Sequence, residues 1–162
     1  MTTVRKAGAM DAREMAELLS AIIDKGGTTA HTGEVTRETI LEWMTRYIDR
    51  SAWHVAEDDQ GQILGFQFLE PHPELPPEAC DIATFVKVGQ TGLGIGSKLF
   101  DASKQAARAL DYAWINATIR ADNAGGLTYY QSRGFETYLQ QRDVALANGQ
   151  IVNKVNKRYG LR

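Results

Sequence analysis

The sequence predicts an α/β or α+β domain built around a mixed sheet. Two kinds of periodicity lead there: short apolar segments bounded by turn residues, and longer stripes at helical spacing that alternate with them. A third observation is a glycine-rich turn that joins an apolar strand directly to a helix. The predicted order is strand, two helices, hairpin, central strand, helix, strand, helix, hairpin. With 162 residues, 43% hydrophobic and 23% charged, residues 1–162 read as one ordered domain with a real core. A net charge of −2 argues against a nucleic-acid partner. The single cysteine, Cys80, excludes an internal disulfide and a cysteine zinc site. No apolar run approaches membrane-spanning length and the N-terminus lacks a signal peptide's apolar core, so a cytoplasmic location without a membrane partner is expected.

Thr2 to Lys6 is the first strand. Met15, Leu18, Leu19, Ile22 and Ile23 then mark an amphipathic helix with Asp11 as its cap, closed by Gly26-Gly27. Thr28 to Glu34 is a polar loop. Thr36 caps the second helix, with Val35 and Ile40 as a hydrophobic staple; Ile40, Met44, Tyr47 and Ile48 face inward until a stop near Arg50. Ala52 to Glu57 and Ile63 to Leu69 form a hairpin about the turn Asp58-Asp59-Gln60-Gly61. The neighbouring acids Glu57, Asp58 and Asp59 read as a solvated turn, because adjacent residues cannot all face one ion. All four prolines fall between Pro71 and Pro77, making a stiff loop that can wall a pocket.

The organising stretch runs from Ile82 to Leu110. Ile82, Phe85, Val86 and Val88 are strand-formers, and Leu99, Ala102, Ser103, Ala106 and Leu110 recur at helical spacing. Between them, Gly92, Gly94 and Gly96 remove side chains that would keep a ligand from the backbone. Unsatisfied N–H groups and the helix dipole make such a strand-to-helix junction an anion site, typically for phosphate. A dinucleotide fingerprint counted from Gly92 fails at Ser97, and no Gly-Lys-Ser or Gly-Lys-Thr loop occurs. Further on, Tyr112 to Ala121 is a strand, and a short helix with Leu127 and Tyr130 inward ends at Gly134. Phe135 to Ala145 and Ile151 to Arg158 are the final strands, turned by Asn148-Gly149.

Two motifs carry a family resemblance. Val86 through Leu99, with Gly92-Leu93-Gly94-Ile95-Gly96, resembles the acyl-CoA pyrophosphate motif of the GNAT acetyltransferase superfamily. Asn123, Gly126, Tyr129, Tyr130, Gly134 and Phe135 resemble its second motif, an Asn followed by a helix with aromatics and a closing Gly-Phe. The element order matches as well, so the resemblance spans essentially the whole chain. It implies a mixed, mostly antiparallel sheet of six to seven strands flanked by about four helices. One position departs: the family usually has Gln or Arg where this chain has Thr91, and Gln90 is adjacent but out of register.

The resemblance implies an acetyl-CoA-dependent N-acetyltransferase that passes the acetyl group directly to a primary amine of a small molecule or amino acid. It puts the pyrophosphate on the amides of Thr91, Gly92, Leu93, Gly94, Ile95, Gly96 and Ser97, and the pantetheine arm along the central strand at Val86 and Val88. Tyr130 falls where the family's tyrosine protonates the departing thiolate, and Asn123 where a side chain contacts the pantetheine arm while also suiting a helix cap. Tyr129, about 100° further round a helix, should point elsewhere. Asp81 and Glu70 stand at strand ends and are the candidates for the base. His31, His54 and His72 lie in different elements, so no metal is expected. Protein or aminoacyl-tRNA acetylation and a non-catalytic acyl-CoA sensor are the competing readings, and a homodimer through the last two strands is the preferred assembly.

Overall fold

A computed structural model describes residues 1–90 and 94–162. Strand β1 (Thr3–Lys6) is followed by helices α1 (Ala12–Lys25) and α2 (Arg37–Arg46), strands β2 (Ala52–Glu57), β3 (Ile63–Glu70) and β4 (Ala79–Val86) and helix α3 (Ile95–Ala109). Strand β5 (Trp114–Arg120), helix α4 (Ala124–Ser132) and strands β6 (Glu136–Ala145) and β7 (Ile151–Gly160) complete it. The seven strands form one sheet in the order β1-β2-β3-β4-β5-β7-β6. Every pairing is antiparallel except β4 with β5. No helix among the described residues is long and apolar enough to cross a membrane.

Alternation along the strands sorts the core into two layers. Trp53, Val55, Phe66, Phe68 and Phe85 pack with Met15, Leu19 and Ile40 of α1 and α2. Their neighbours in sequence turn the other way: Leu69, Cys80 and Ile82 join Phe100 of α3 and Tyr130 of α4, and Leu64 meets Ile95 and Leu99. Strand β3 is therefore buried along its whole length, which is why Ile63 to Glu70 reads as a nearly unbroken apolar run.

Several local expectations meet the structure with differences. Asp11 does not cap α1 with its side chain; its carboxylate looks back, accepting from Gly8 N at 2.7 Å and from Arg5 Nη1 and Nη2 at 2.9 Å each. Two charge-assisted bonds from a planar guanidinium outcompete a cap. Helix α2 does start on Thr36, which accepts from Thr39 N at 3.2 Å while Thr39 Oγ1 accepts from Thr36 N. It ends at Arg46, a turn earlier than the apolar spacing suggests, and Ile48 in the turn that follows is 68% exposed. Strand β4 stops at Val86 because Lys87 to Gln90 turns, with Gly89 at φ 87°; Val88 stands in that turn, half exposed. In the β2–β3 hairpin, Asp58 Oδ1 accepts from the amides of Gln60 and Gln62, so this acid is spent on the turn itself.

Candidate active site

The sheet opens at its one parallel junction. β4 and β5 pair only through Ala79↔Trp114, Cys80↔Ile115 and Asp81↔Asn116. Beyond that point, Ile82 to Val86 and Ile119 to Arg120 line opposite banks of a cleft of about 1620 Å³. Residue alternation gives the cleft two chemically different mouths. On the α3/α4 side lie Gly94 to Ser97, Tyr129, Tyr130 and Arg133; on the α1/α2 side lie Glu70, Asp81, Arg46 and His31.

At the first mouth, α3 begins after Gly94, whose φ of 71° and open surroundings suit glycine. The first intrahelical bond runs from Lys98 N to Gly94 O, so the amides of Ile95 to Ser97 precede the first helical donor. Arg133 Nη1 donates to Ser97 Oγ at 2.8 Å, and its buried Nε has no partner. A guanidinium beside a helix start is an arrangement that suits an anion. Gly96 answers a different need from the one its spacing suggests. A Cβ there would stand 2.6 Å from the Tyr129 ring, so the glycine lets α4 close onto α3. Thr91, Gly92 and Leu93 lie outside the described residues.

The two tyrosines meet one polar group. Tyr130 is buried against Phe135, with its hydroxyl 2.7 Å from Thr84 Oγ1 on β4. Tyr129 does not point away from the cleft: its hydroxyl donates to Gly96 O at 2.7 Å and accepts from Gln67 Nε2 at 3.1 Å. Burial pushes the Tyr129 phenol up to about 12 and the Tyr130 phenol still higher, so both carry their protons at neutral pH. Asn123 accepts from Gly126 N at 3.0 Å as a helix cap, and its Nδ2 donates to Thr28 O at 3.0 Å, tying α4 to the α1–α2 loop.

At the second mouth the register pair Glu70↔Asp81 sets two carboxylates side by side on one face. They differ in partners. Glu70 receives Arg46 Nε at 3.1 Å and Nη2 at 2.6 Å. Asp81 receives only Asn116 Nδ2, at 2.8 Å. Burial raises the Asp81 carboxyl to about 6, opposed by the Asn116 hydrogen bond and the charge of His72. Asn116 is itself held by Tyr138, whose hydroxyl donates to Asn116 Oδ1 at 2.5 Å. His31 lies in this wall against Trp43, ring centroids 5.0 Å apart, its pKa lowered by burial. Cys80 is fully buried and its thiol is pushed up to about 12, which keeps it protonated and inert. Among the described residues no three His, Cys, Asp or Glu side chains gather into a metal site.

Gln67, Thr84, Asn116 and Arg133 escaped the sequence reading. Each acts through a partner at least 17 residues away, so no local spacing marks them.

A parallel junction opened into a two-mouthed cleft, with a helix start at one mouth and tyrosine hydroxyls on its wall, defines the architecture of an acyl-transfer fold. The sequence model described as the acetyltransferase (GNAT) domain matches residues 49–137. The chain belongs to the GNAT family and is an acetyltransferase. Across 162 residues it is 24% identical to YwnH of Bacillus subtilis (strain 168), described provisionally as a phosphinothricin acetyltransferase, covering 99% of this chain and 95% of that one. Among solved structures, yncA of Salmonella typhimurium, an acetyltransferase by provisional description and solved with acetyl-CoA, superposes with a TM-score of 0.89 at 20% identity, covering 99% of this chain and 94% of that one. A phosphinothricin acetyltransferase from Sinorhizobium meliloti in complex with acetyl-CoA gives a TM-score of 0.87 at 18% identity, covering 98% and 88%.

Proposed function

We propose that residues 1–162 act as one acetyltransferase domain that moves the acetyl group of acetyl-CoA directly to the primary amine of a small molecule or amino acid. The observation that carries the reading is the end of β4–β5 pairing at Asp81↔Asn116, which leaves the backbone of Ile82 to Val86 facing the cleft. An extended pantetheine arm can pair there as an added strand as far as Val86, and Val88 lines the cleft from the turn beyond. Its pyrophosphate then meets the helix start from Gly94 to Ser97, with Arg133 supplying the cation; the resemblance assigns Thr91, Gly92 and Leu93, outside the described residues, to the same group. Asn123 borders the arm from the α4 side.

The chemistry divides between the mouths. A carboxylate raised to about 6 is ionised at neutral pH yet basic enough to take an amine proton, and Asp81 is the better placed of the two acids. Glu70 is held by two bonds from Arg46 and serves the acceptor pocket as a fixed charge. The nitrogen attacks the acetyl carbonyl, and Tyr130 gives its proton to sulfur as the carbon–sulfur bond breaks. Phosphinothricin, an amino acid named for two relatives, heads the acceptor candidates. The test is thiol release from acetyl-CoA with a panel of L-phosphinothricin, other amino acids, amino-acid amides, polyamines and a lysine peptide. Saturable turnover with a free amino acid or small amine is expected; turnover with the peptide alone overturns the small-amine reading.

A further inference from the structure

We propose that Gln67, Thr84 and Tyr129 are positioning residues that fix the direction of the Tyr130 hydroxyl, so that its proton is presented to the cleft. The inference rests on Tyr130 as the general acid, and it adds to that reading a chain of donors running beneath it.

The direction follows from a group that cannot donate. Tyr129's hydroxyl lies 2.7 Å from the Gly96 carbonyl oxygen, so its single proton points there. The Tyr129 oxygen can then only accept from Gln67, 3.1 Å away, and the amide atom facing it must be nitrogen. That settles which way round the amide sits. The second N–H of the same nitrogen reaches Thr84 Oγ1 at 2.8 Å. Thr84 accepts from Gln67, and its own proton lies nearest the Tyr130 oxygen, at 2.7 Å, with the Tyr129 oxygen its further neighbour. With Thr84 donating, Tyr130 accepts, and its own proton has no other partner among the described residues. The side chain lines the cleft, so that proton faces the space left for the acyl donor.

With the amide reversed, Gln67 would set its oxygen against a Tyr129 oxygen that has no proton to offer. Thr84 would then donate to Gln67 and accept from Tyr130, and the acid's proton would be turned inward. Gln67 Oε1 is buried without a partner, so nothing but the two N–H contacts holds the amide. A fully buried amide with an orphaned oxygen is costly to keep for packing alone. When the carbon–sulfur bond breaks, its electron pair goes to sulfur, which takes the Tyr130 proton. Thr84 then donates to the phenolate, polarised by Gln67 behind it. The amine's proton leaves with the base, and Tyr130 is reprotonated from water as the thiol departs.

The test is a double-mutant cycle using the panel amine that supports the fastest thiol release, with CoA binding by calorimetry as a second readout. Tyr130→Phe should lower kcat by about 10²-fold. Thr84→Val should lower kcat by about 10-fold, the worth of one hydrogen bond, with CoA affinity unchanged and Thr84→Ser restoring the rate. In the Tyr130→Phe background Thr84→Val should cost nothing further. In isotope-labelled wild-type protein the two Gln67 side-chain amide protons should show NOEs to Thr84 and to the Tyr129 ring. A Thr84→Val loss of the same size in both backgrounds, or amide protons directed away from both residues, overturns the donor chain while the general acid stands. A Tyr130→Phe variant at the wild-type rate overturns the general acid, and the chain with it.

Discussion

Asp81 is held between opposing influences, and their balance sets a pH limb. Burial raises its carboxyl to about 6; Asn116 on β5 and the charges of His72 and Lys154 pull it down, while Glu70 on β3 adds repulsion. A base must be ionised, so kcat/KM should rise with pH through about 6. Asp81→Asn should remove that limb and lower kcat by about 10²-fold or more. Asn116→Leu removes a bond to the ionised form and should move the limb to higher pH. A pH profile of the Asp81→Asn variant that retains the limb would place the base elsewhere. The same shift acts against the fold. Protonation is favoured in the folded state, so stability falls as pH rises from the ordinary 3.8 to about 6. At pH 7, Asp81→Asn should therefore melt no lower than the parent, which separates a catalytic loss from an unfolded protein.

At the scale of elements, the start of α3 shows how two glycines of one motif serve different ends. Gly94 takes φ 71° with nothing within 4 Å of its Cβ position, whereas a Cβ at Gly96 would meet the Tyr129 ring at 2.6 Å. Gly96→Ala should destabilise the fold by about 1–3 kcal/mol, since the ring cannot yield without leaving its bond to the Gly96 carbonyl. Gly94→Asn, a residue that tolerates the left-handed region, should cost less than about 1 kcal/mol. Urea unfolding of both variants checks this, and a Gly96→Ala protein as stable as the parent would mean that α4 is not seated on α3. The sequence pattern located this junction because strand, glycines and helix are consecutive. It could not tell a glycine needed by a ligand from one needed by Tyr129, which lies 33 residues away. The same limit explains the misjudged Tyr129. Rotation about one helix says nothing of Gln67, brought beneath it by β3. Asn123, Tyr130, Gly134 and Phe135 stood out together because they lie within or just beside one short helix, Ala124–Ser132.

For the whole molecule, the three-residue β4–β5 junction is the shortest ladder of the sheet, against the seven-residue ladder from β5 to β7. Ile82 to Val86 stand on one bank, and Ile119, Arg120 and α4 on the other. A ligand that pairs with one bank and bonds to the other supplies contacts the ladder lacks. Binding to the folded state alone stabilises it by mass action, about 2.7 kcal/mol at a hundredfold excess over Kd. For a domain of this length that corresponds to a rise in Tm of roughly 5–10 °C. CoA should give this shift in differential scanning calorimetry in the absence of any amine, because the proposed phosphate and pantetheine contacts belong to the α3/α4 mouth. Gly94→Glu sets a carboxylate at the helix start without a steric clash, where it competes with phosphate for the same amides. Its own Tm should be somewhat lower from the left-handed backbone, but the decisive quantity is the difference made by CoA, which should vanish. A full shift in Gly94→Glu would remove the pyrophosphate from the start of α3, and no shift in the parent would remove CoA from the cleft altogether.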